Sequence, residues 1–370
     1  MNAVAAESYE TITAERRDAF SERMVHAVAD LFMVAGVYLG DRLEFFGTLA
    51  RDGALTASEL ADRCGCHPRY VREWLEHQAV SGVLAVEDES RPAEERRYFL
   101  PEGHDEVLAD QDSLNYLAPL AQAAVGSLHP LDRVAEVFRN GQGLPFEAYG
   151  PDMRQGQARL NRALFLNCMG SDWLPAMPDV ADRLEADPRA RVADIGCGCG
   201  HSSVAIAQAY PKVLVNGFDL DRSSIEEARA NAWDAGIAER VQFYAEDAAA
   251  APHAEGYDLV SAFECIHDMP DPVGVLRTVR RLVKPGGAVL VMDERVNETF
   301  STDPGVFERM MYGFSFLHCL PGGMCGDHPA GTGTVMRPAT LRRYAVEAGF
   351  SRVETLPIEN AFFRFYRLHP

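Results

Sequence analysis

The sequence predicts an α/β protein in which a Rossmann-like sheet, mostly parallel with an antiparallel last strand, follows a mainly helical winged-helix domain. Three observations carry this expectation. After Arg189, short apolar runs alternate with helical stretches, the pattern of a parallel sheet covered on both faces. The first run ends in a glycine-rich turn, "DIGCGCGHSS", at 194–203. Ahead of it, residues 55–100 read as helix, turn, helix and hairpin.

A chain of 370 residues exceeds the usual size of one domain,. The pattern divides it into a winged-helix dimerisation domain at 1–104, a helical connector or lid at 105–185, and a ligand-binding domain at 186–370 with a substrate-covering insertion at 298–335. Apolar residues make up 47% and charged residues 24%, and no apolar run is expected to approach the roughly 20 residues of a membrane span. The start, "MNAVAAESYETITAERR", has early acids and no apolar h-region,. A soluble, cytoplasmic protein with no membrane partner is expected. Eight cysteines without a framework spacing suit reduced thiols,. The net charge of −20 repels a phosphate backbone, so nucleic acid is not an expected partner,.

From about residue 15 to 50, Phe20, Met24, Val28, Leu31, Phe32 and Ala35 recur at helical spacing, which predicts a helix with one buried face,. "LTASELADRCGCHPRYVREWLEHQAVSGVL" predicts two helices, with Thr56 and Glu59 as a capping box and a turn near Gly65,. "GVLAVEDESRPAEERRYFL" reads as a hairpin. Arg69 and Arg72 on the second helix would face a DNA groove, but residues 1–100 hold 11 Arg and no Lys against 18 acids. A dimerisation module is the preferred reading. Phe165, Met169 and Trp173, in "LNRALFLNCMGSDWLPAM", fall at helical spacing just ahead of the glycine turn, as core or as a pocket wall. The strands are expected at "ARVADI", "VLVNGFDL", "RVQFYAED", "YDLVSAFE" and "GAVLVMDE", and two β-rich runs close the chain.

The glycine turn admits two readings. Cys197, Cys199 and His201 offer soft metal donors, yet a zinc site wants about four ligands and the stretch provides at most three, so no metal is expected. Gly196, Gly198 and Gly200 offer a backbone able to press against a ligand at the turn that grips ligands in open α/β sheets. Their G-x-G-x-G departs from the dinucleotide fingerprint, whose third glycine would stand at His201,. A nucleoside without a pyrophosphate is therefore expected. Asp219 ends the second strand, 23 residues after Gly196, where a carboxylate accepts from ribose hydroxyls. Asp247 ends the third, placed for an exocyclic adenine amine, with the Ala248 N–H for a ring nitrogen.

On "DIGCGCG", "GFDLD", "AEDA", "YDLVSAFECIHDMPD" and "LVKPGGAVLVMDE", the sequence resembles the class I S-adenosylmethionine-dependent methyltransferases over roughly residues 186–370. With its front end and tail, the whole chain resembles bacterial methyltransferases whose winged-helix domain serves homodimerisation. The resemblance implies S-adenosylmethionine as cofactor, held by Gly196, Cys197, Gly198, Asp219, Leu220, Asp247, Ala248, Phe263 and Glu264, with Asp194 bracing the glycine loop or holding the methionine end through water.

The same resemblance implies a small-molecule acceptor and an in-line displacement in which the protein aligns the partners and removes a proton where the acceptor is a hydroxyl. Small-molecule O-methyltransferases carry a catalytic histidine in an H-D-x-x-D segment, which His267, Asp268 and Asp271 reproduce. His318, in the insertion, is a second candidate base. Met310 and Phe314, with Tyr312 and Phe316, would join Phe165, Met169 and Trp173 in an aromatic acceptor pocket. O-methylation in bacterial secondary metabolism is favoured, with C- and N-methylation open. The alternatives are a winged-helix transcription regulator with a methyltransferase-like ligand sensor, and an NAD-dependent oxidoreductase.

Overall fold

A computed structural model describes residues 3–250 and 256–370; residues 1–2 and 251–255, which fall in the expected first and third segments, lie outside the described residues. The chain divides into two units, Met1–Ala121 and Gln122–Pro370. The expected connector at 105–185 is therefore split, and most of it belongs with the sheet.

In the first unit α1 (Ala3–Arg42), α2 (Phe45–Asp52), α3 (Ala57–Cys64) and α4 (Pro68–Val80) precede a hairpin of β1 (Ala85–Val86) and β2 (Tyr98–Phe99), followed by α5 (His104–Leu108). The helix expected to run to residue 50 is broken by Glu44, whose φ of 57° is left-handed. The capping box forms: Glu59 N donates to Thr56 Oγ1 at 3.2 Å and Thr56 N to Glu59 Oε2 at 2.8 Å. Gly65 turns the chain into α4 at φ 64°. Phe45, Phe46, Leu60, Trp74 and Leu75 form the core, and Trp74 Nε1 donates to Gly36 O at 2.8 Å, fastening α1 to it.

Two expectations about α1 need correcting. Its stripe is not buried within the chain, since Phe20, Met24, Val28, Leu31 and Phe32 are 45–61% exposed. Periodicity reports which residues share a face, not what covers it. Second, Ile12–Arg42 is long and apolar enough to cross a membrane by length and composition, its most apolar 18-residue window having a mean hydropathy of 1.3, because Asp30 is the only Asp, Glu, Lys or Arg between Met24 and Tyr38. Its C-terminal end is nevertheless tied into a folded unit, by Trp74 and by Tyr116 Oη donating to Asp41 Oδ1 at 3.2 Å.

The division falls within α6 (Ala118–Leu128), after which come α7 (Leu131–Asn140), α8 (Gly150–Cys168) and α9 (Pro178–Glu185). The alternating segment follows as β3 (Arg191–Ile195), α10 (His201–Ala209), β4 (Leu214–Phe218), α11 (Arg222–Asp234), β5 (Val241–Tyr244), β6 (Tyr257–Phe263), α12 (Pro272–Leu282) and β7 (Val283–Glu294). Helices α13 (Gly305–Phe314), α14 (Leu320–Gly323) and α15 (Pro338–Glu347) lead to β8 (Arg352–Thr355) and β9 (Phe363–His369). The seven strands order as β5-β4-β3-β6-β7-β9-β8. Pairings from β5 through β7 are parallel, and β9 runs antiparallel to both neighbours.

Side chains alternate across this sheet because strand Cβ atoms point to opposite faces. Val192, Leu290 and Met292 enter one apolar core, whereas Ala193, Val289 and Val291 enter the other. Both faces are covered, so the strands read as near-continuous apolar runs. The chain reverses its direction of travel between β3 and β6, the switch point at which open α/β sheets form a crevice beyond the strand ends,.

Gly200 caps α10 at φ 79°, and a Cβ there would stand 2.6 Å from Phe243 Cζ and 2.8 Å from Ala228 Cβ. Gly200→Ala should therefore cost about 2–3 kcal/mol, from overpacking and a left-handed backbone together. Denaturant unfolding would check this, and an unchanged midpoint would contradict the packing described.

Candidate active site

At the switch point a cavity of about 610 Å³ opens over the carboxyl ends of β3, β4, β5 and β6. Its floor is the glycine loop. Gly196, Gly198 and Gly200 have φ of 65°, 50° and 79°, a region that L side chains rarely adopt, and a Cβ on Gly198 would meet nothing within 4 Å. The loop is held from below. Gly196 N and Cys197 N donate to Phe218 O at 2.8 and 3.1 Å, while Gly198 N donates to Asp219 Oδ2 at 2.8 Å.

Of the residues expected to hold a cofactor, Gly196, Cys197, Gly198, Asp219, Leu220, Asp247, Ala248, Phe263 and Glu264 line the cavity. Asp194 does not. It is 1% exposed and accepts from Ser202 Oγ at 2.6 Å, Ser203 Oγ at 2.7 Å and Ser261 Oγ at 2.9 Å, clasping the start of α10 to β3 and β6. Burial raises its pKa against the lowering by the three hydroxyls. Cys197 and Cys199 are buried thiols. Burial first, then neighbouring carboxylates, pushes Cys199 up to about 12 and Cys197 well above its usual value.

The expected acceptor wall is only partly there. Phe165 lines the cavity, but Met169 and Trp173 are 0% and 2% exposed and belong to the core beneath the sheet, where the Trp173 ring packs 4.8 Å from Phe365. Met310 and Phe314 do not line it either; Phe314 packs on the Val134, Leu144 and Tyr149 cluster. Apolar helical spacing marks a buried face, and a core and a pocket present the same spacing. The wall is formed instead by Phe146, Tyr149, Asn161, His318 and Cys319. Of these, His318 is the expected second candidate base; Phe146 and Tyr149 escape notice because they sit in "GQGLPFEAYGP", whose glycines and prolines mark a loop,. Asn161 carried one usable signal, a polar residue one helical turn before Phe165 and so on its face,.

The two histidines differ. His318, on a π-turn at Ser315–Cys319, faces the cavity with its ring 4.5 Å from that of Tyr149. Burial, then the charge of His267, pushes it down to about 3, so it is neutral. His267 lies off the cavity and is 2% exposed. Its Nδ1 is 3.1 Å from Asp293 Oδ1 and 3.2 Å from Glu294 Oε2. Burial opposes its charge, but Glu294 and Asp293 outweigh burial and raise it well above the usual imidazole value. His267, expected as the base, is thus set behind the cavity wall with its Nδ1 held by two carboxylates. The ligand atoms of these three residues lie within 4.8 Å of one another, a spacing a metal also tolerates; the ion pairs account for it without one.

Residues 186–328 match the model of a methyltransferase domain, and residues 32–110 that of an Rv2258c-like winged helix-turn-helix domain. The ubiquinone biosynthesis O-methyltransferase of Ralstonia nicotianae is 34% identical over 195 residues, 52% of this chain and 74% of that protein. The chain belongs to the S-adenosylmethionine-dependent methyltransferases. Among further relatives of this methyltransferase, the 27-O-demethylrifamycin SV methyltransferase of Amycolatopsis mediterranei is 36% identical over 104 residues, 28% of this chain and 38% of that protein. In fold, the methyltransferase is similar to the mitomycin 7-O-methyltransferase MmcR, with a TM-score of 0.65 at 20% identity over 96% of this chain and 99% of that one. It is also similar to human N-acetylserotonin methyltransferase in complex with S-adenosylmethionine, with a TM-score of 0.68 at 17% identity over 94% and 97%.

If Trp173 is core rather than acceptor wall, Trp173→Ala should lower stability by about 3–5 kcal/mol. Chemical denaturation would check this, and a variant of unchanged stability would return Trp173 to the pocket.

Proposed function

We propose that this methyltransferase transfers the methyl group of S-adenosylmethionine to the hydroxyl of a small aromatic or hydrophobic acceptor, as a homodimer, in secondary metabolism. The observation that carries the proposal is the continuity of one cavity, running from the glycine loop, Asp219 and Asp247 to the aromatic wall of Phe146, Tyr149 and Phe165. A nucleoside and a flat acceptor each find suitable chemistry at one end.

The donor set fits the cofactor. Asp219 uses one lone pair of each oxygen on backbone N–H groups, Gly198 N at 2.8 Å and Asp221 N at 2.9 Å, which fixes the carboxylate and leaves its remaining lone pairs for two ribose hydroxyls. Asp247 Oδ1 accepts from Ala249 N at 2.8 Å, orienting it for an exocyclic amine, with the Ala248 N–H beside it and Leu220 flanking the base. Arg154 Nε is buried at the cavity without a hydrogen-bond partner, a donor suited to a ligand oxygen. Gly196 and Gly198 admit close approach, and Asp194 braces the loop from behind. When bound, the cofactor supplies a methyl group already activated by its sulfonium charge. The chain's own residues align the acceptor, exclude water and accept a proton. Neutral His318 orients the acceptor by a hydrogen bond.

For the winged-helix unit we favour self-association over the regulator reading. Arg69 pairs with Glu73 at 2.5 Å, Arg72 with Glu94 at 2.9 Å and Arg96 with Glu76 at 3.3 Å, so the arginines of α4 and the hairpin are already spoken for. The exposed stripe on α1 is what a second copy would cover, and an apolar face of this kind marks an interaction site. A cytoplasmic location suits the eight cysteines, all free thiols,.

Asp219→Ala should weaken S-adenosylmethionine binding by about 1.5–3 kcal/mol, as for a lost hydrogen bond to a charged group. Isothermal titration checks this, and wild-type protein that binds neither this cofactor nor S-adenosylhomocysteine would overturn the reading. Light scattering on a sizing column should show a dimer for the wild type and a monomer for Phe20→Glu combined with Leu31→Glu; a monomeric wild type would remove self-association.

A further inference from the structure

Four carboxylates crowd the end of the cavity where β6 and β7 finish. Glu264 and Asp268 line the wall, and Asp293 and Glu294 lie behind it, with Glu264 N donating to Met292 O at 2.9 Å. His267, paired with Asp293 and Glu294, is the imidazolium among them. From α8, neutral Asn161 donates its Nδ2 to Glu264 Oε2. From the π-turn, neutral His318 and the Cys319 thiol complete the surroundings. Asp293 Oδ2 has no hydrogen-bond partner. Four acids against one cation leave the cluster short of positive charge, and buried carboxylates in that position take up protons.

Of the two members that line the cavity, Glu264 carries the larger deficit. Burial, then Glu294 and Asp268, push its carboxyl well up against the lowering by His267 and Asn161. It also stands at φ 50°, one of two non-glycine residues with positive φ among the described residues. A backbone so strained persists only where its surroundings over-determine it. Here the strand pairing on one side and Asn161 on the other hold the side chain at the cavity wall.

We infer that Glu264 is the proton acceptor of methyl transfer: a carboxylate while the sulfonium is bound, and a carboxylic acid once the methyl group has left. The step balances. The acceptor oxygen forms a bond to the methyl carbon, the sulfur–methyl bond breaks with its electron pair left on sulfur, and the hydroxyl proton passes to Glu264. A sulfonium and a carboxylate thus become a thioether and an acid, and the net charge of the buried site does not change. His267 acts behind Glu264 as a positioning residue, its charge holding Asp293 and Glu294.

This inference rests on the cofactor reading, and its test needs no acceptor. S-adenosylmethionine and S-adenosylhomocysteine are titrated calorimetrically into the full chain near neutral pH, in two buffers of different ionisation enthalpy, for the wild type and Glu264→Gln. Binding the sulfonium favours ionised Glu264, so the wild type should release more protons with S-adenosylmethionine than with the neutral thioether. Glu264→Gln, whose amide oxygen still accepts from Asn161, should bind the thioether, lose the excess release, and lose about tenfold in preference for the sulfonium, the equivalent of one pKa unit. The ligand's own amino group titrates in both proteins and cancels in the comparison. Equal release with both ligands in the wild type, or an excess that survives in Glu264→Gln, overturns the inference alone; if the variant does not fold, the wild-type comparison decides. A wild type that binds neither ligand overturns the cofactor reading and the inference with it.

Discussion

The carboxylate of Asp194 is the constraint on which the ligand-binding unit depends. It stands at the end of β3, where the strand order reverses, and takes hydroxyls from both ends of the crevice: Ser202 and Ser203 at the start of α10, and Ser261 in β6. A buried charge is costly unless it is hydrogen-bonded, and the three hydroxyl bonds offset part of that cost, burial still raising its pKa. The two strands flanking the switch point and the helix leaving it are thereby locked in one geometry. Only then can the glycine loop keep three left-handed residues in seven and present its backbone to the cavity.

Electrostatics organises what lies above that loop. The cavity is lined by Asp219, Asp247, Glu264 and Asp268, with Arg154 as a cation at its side. Such a surface repels phosphates and attracts a sulfonium, in keeping with a glycine pattern that lacks the spacing for a pyrophosphate. The two histidines are driven apart by burial acting on different neighbours. His267 has carboxylates against its ring and stays charged, whereas His318 has His267 for company and stays neutral. Pairs of titratable groups whose surroundings push them in opposite directions are a usual mark of a working site.

In the first unit the contrast is between what is paired and what is not. The arginines of the helix-turn-helix meet acids of their own module, while Phe20, Met24, Val28, Leu31 and Phe32 of α1 stay largely exposed. The acidic composition that made nucleic acid an unexpected partner is thus carried through to individual side chains.

The sequence by itself determined the elements and the floor of the site. Alternating apolar runs, the capping box at Thr56, the glycine loop and the strand-end acids Asp219 and Asp247 were all legible, because local chemistry and periodicity govern them. Tertiary structure alone decided the rest. It sent Met169 and Trp173 into the core and Phe146 and Tyr149 to the wall, since helical spacing records a buried face without naming its neighbour. It also placed His267 behind the cavity wall. The charge of that histidine is set by Asp293 and Glu294, more than 20 residues away in sequence and about 3 Å away in space, and no local pattern encodes a pKa made by residues that only the fold brings together.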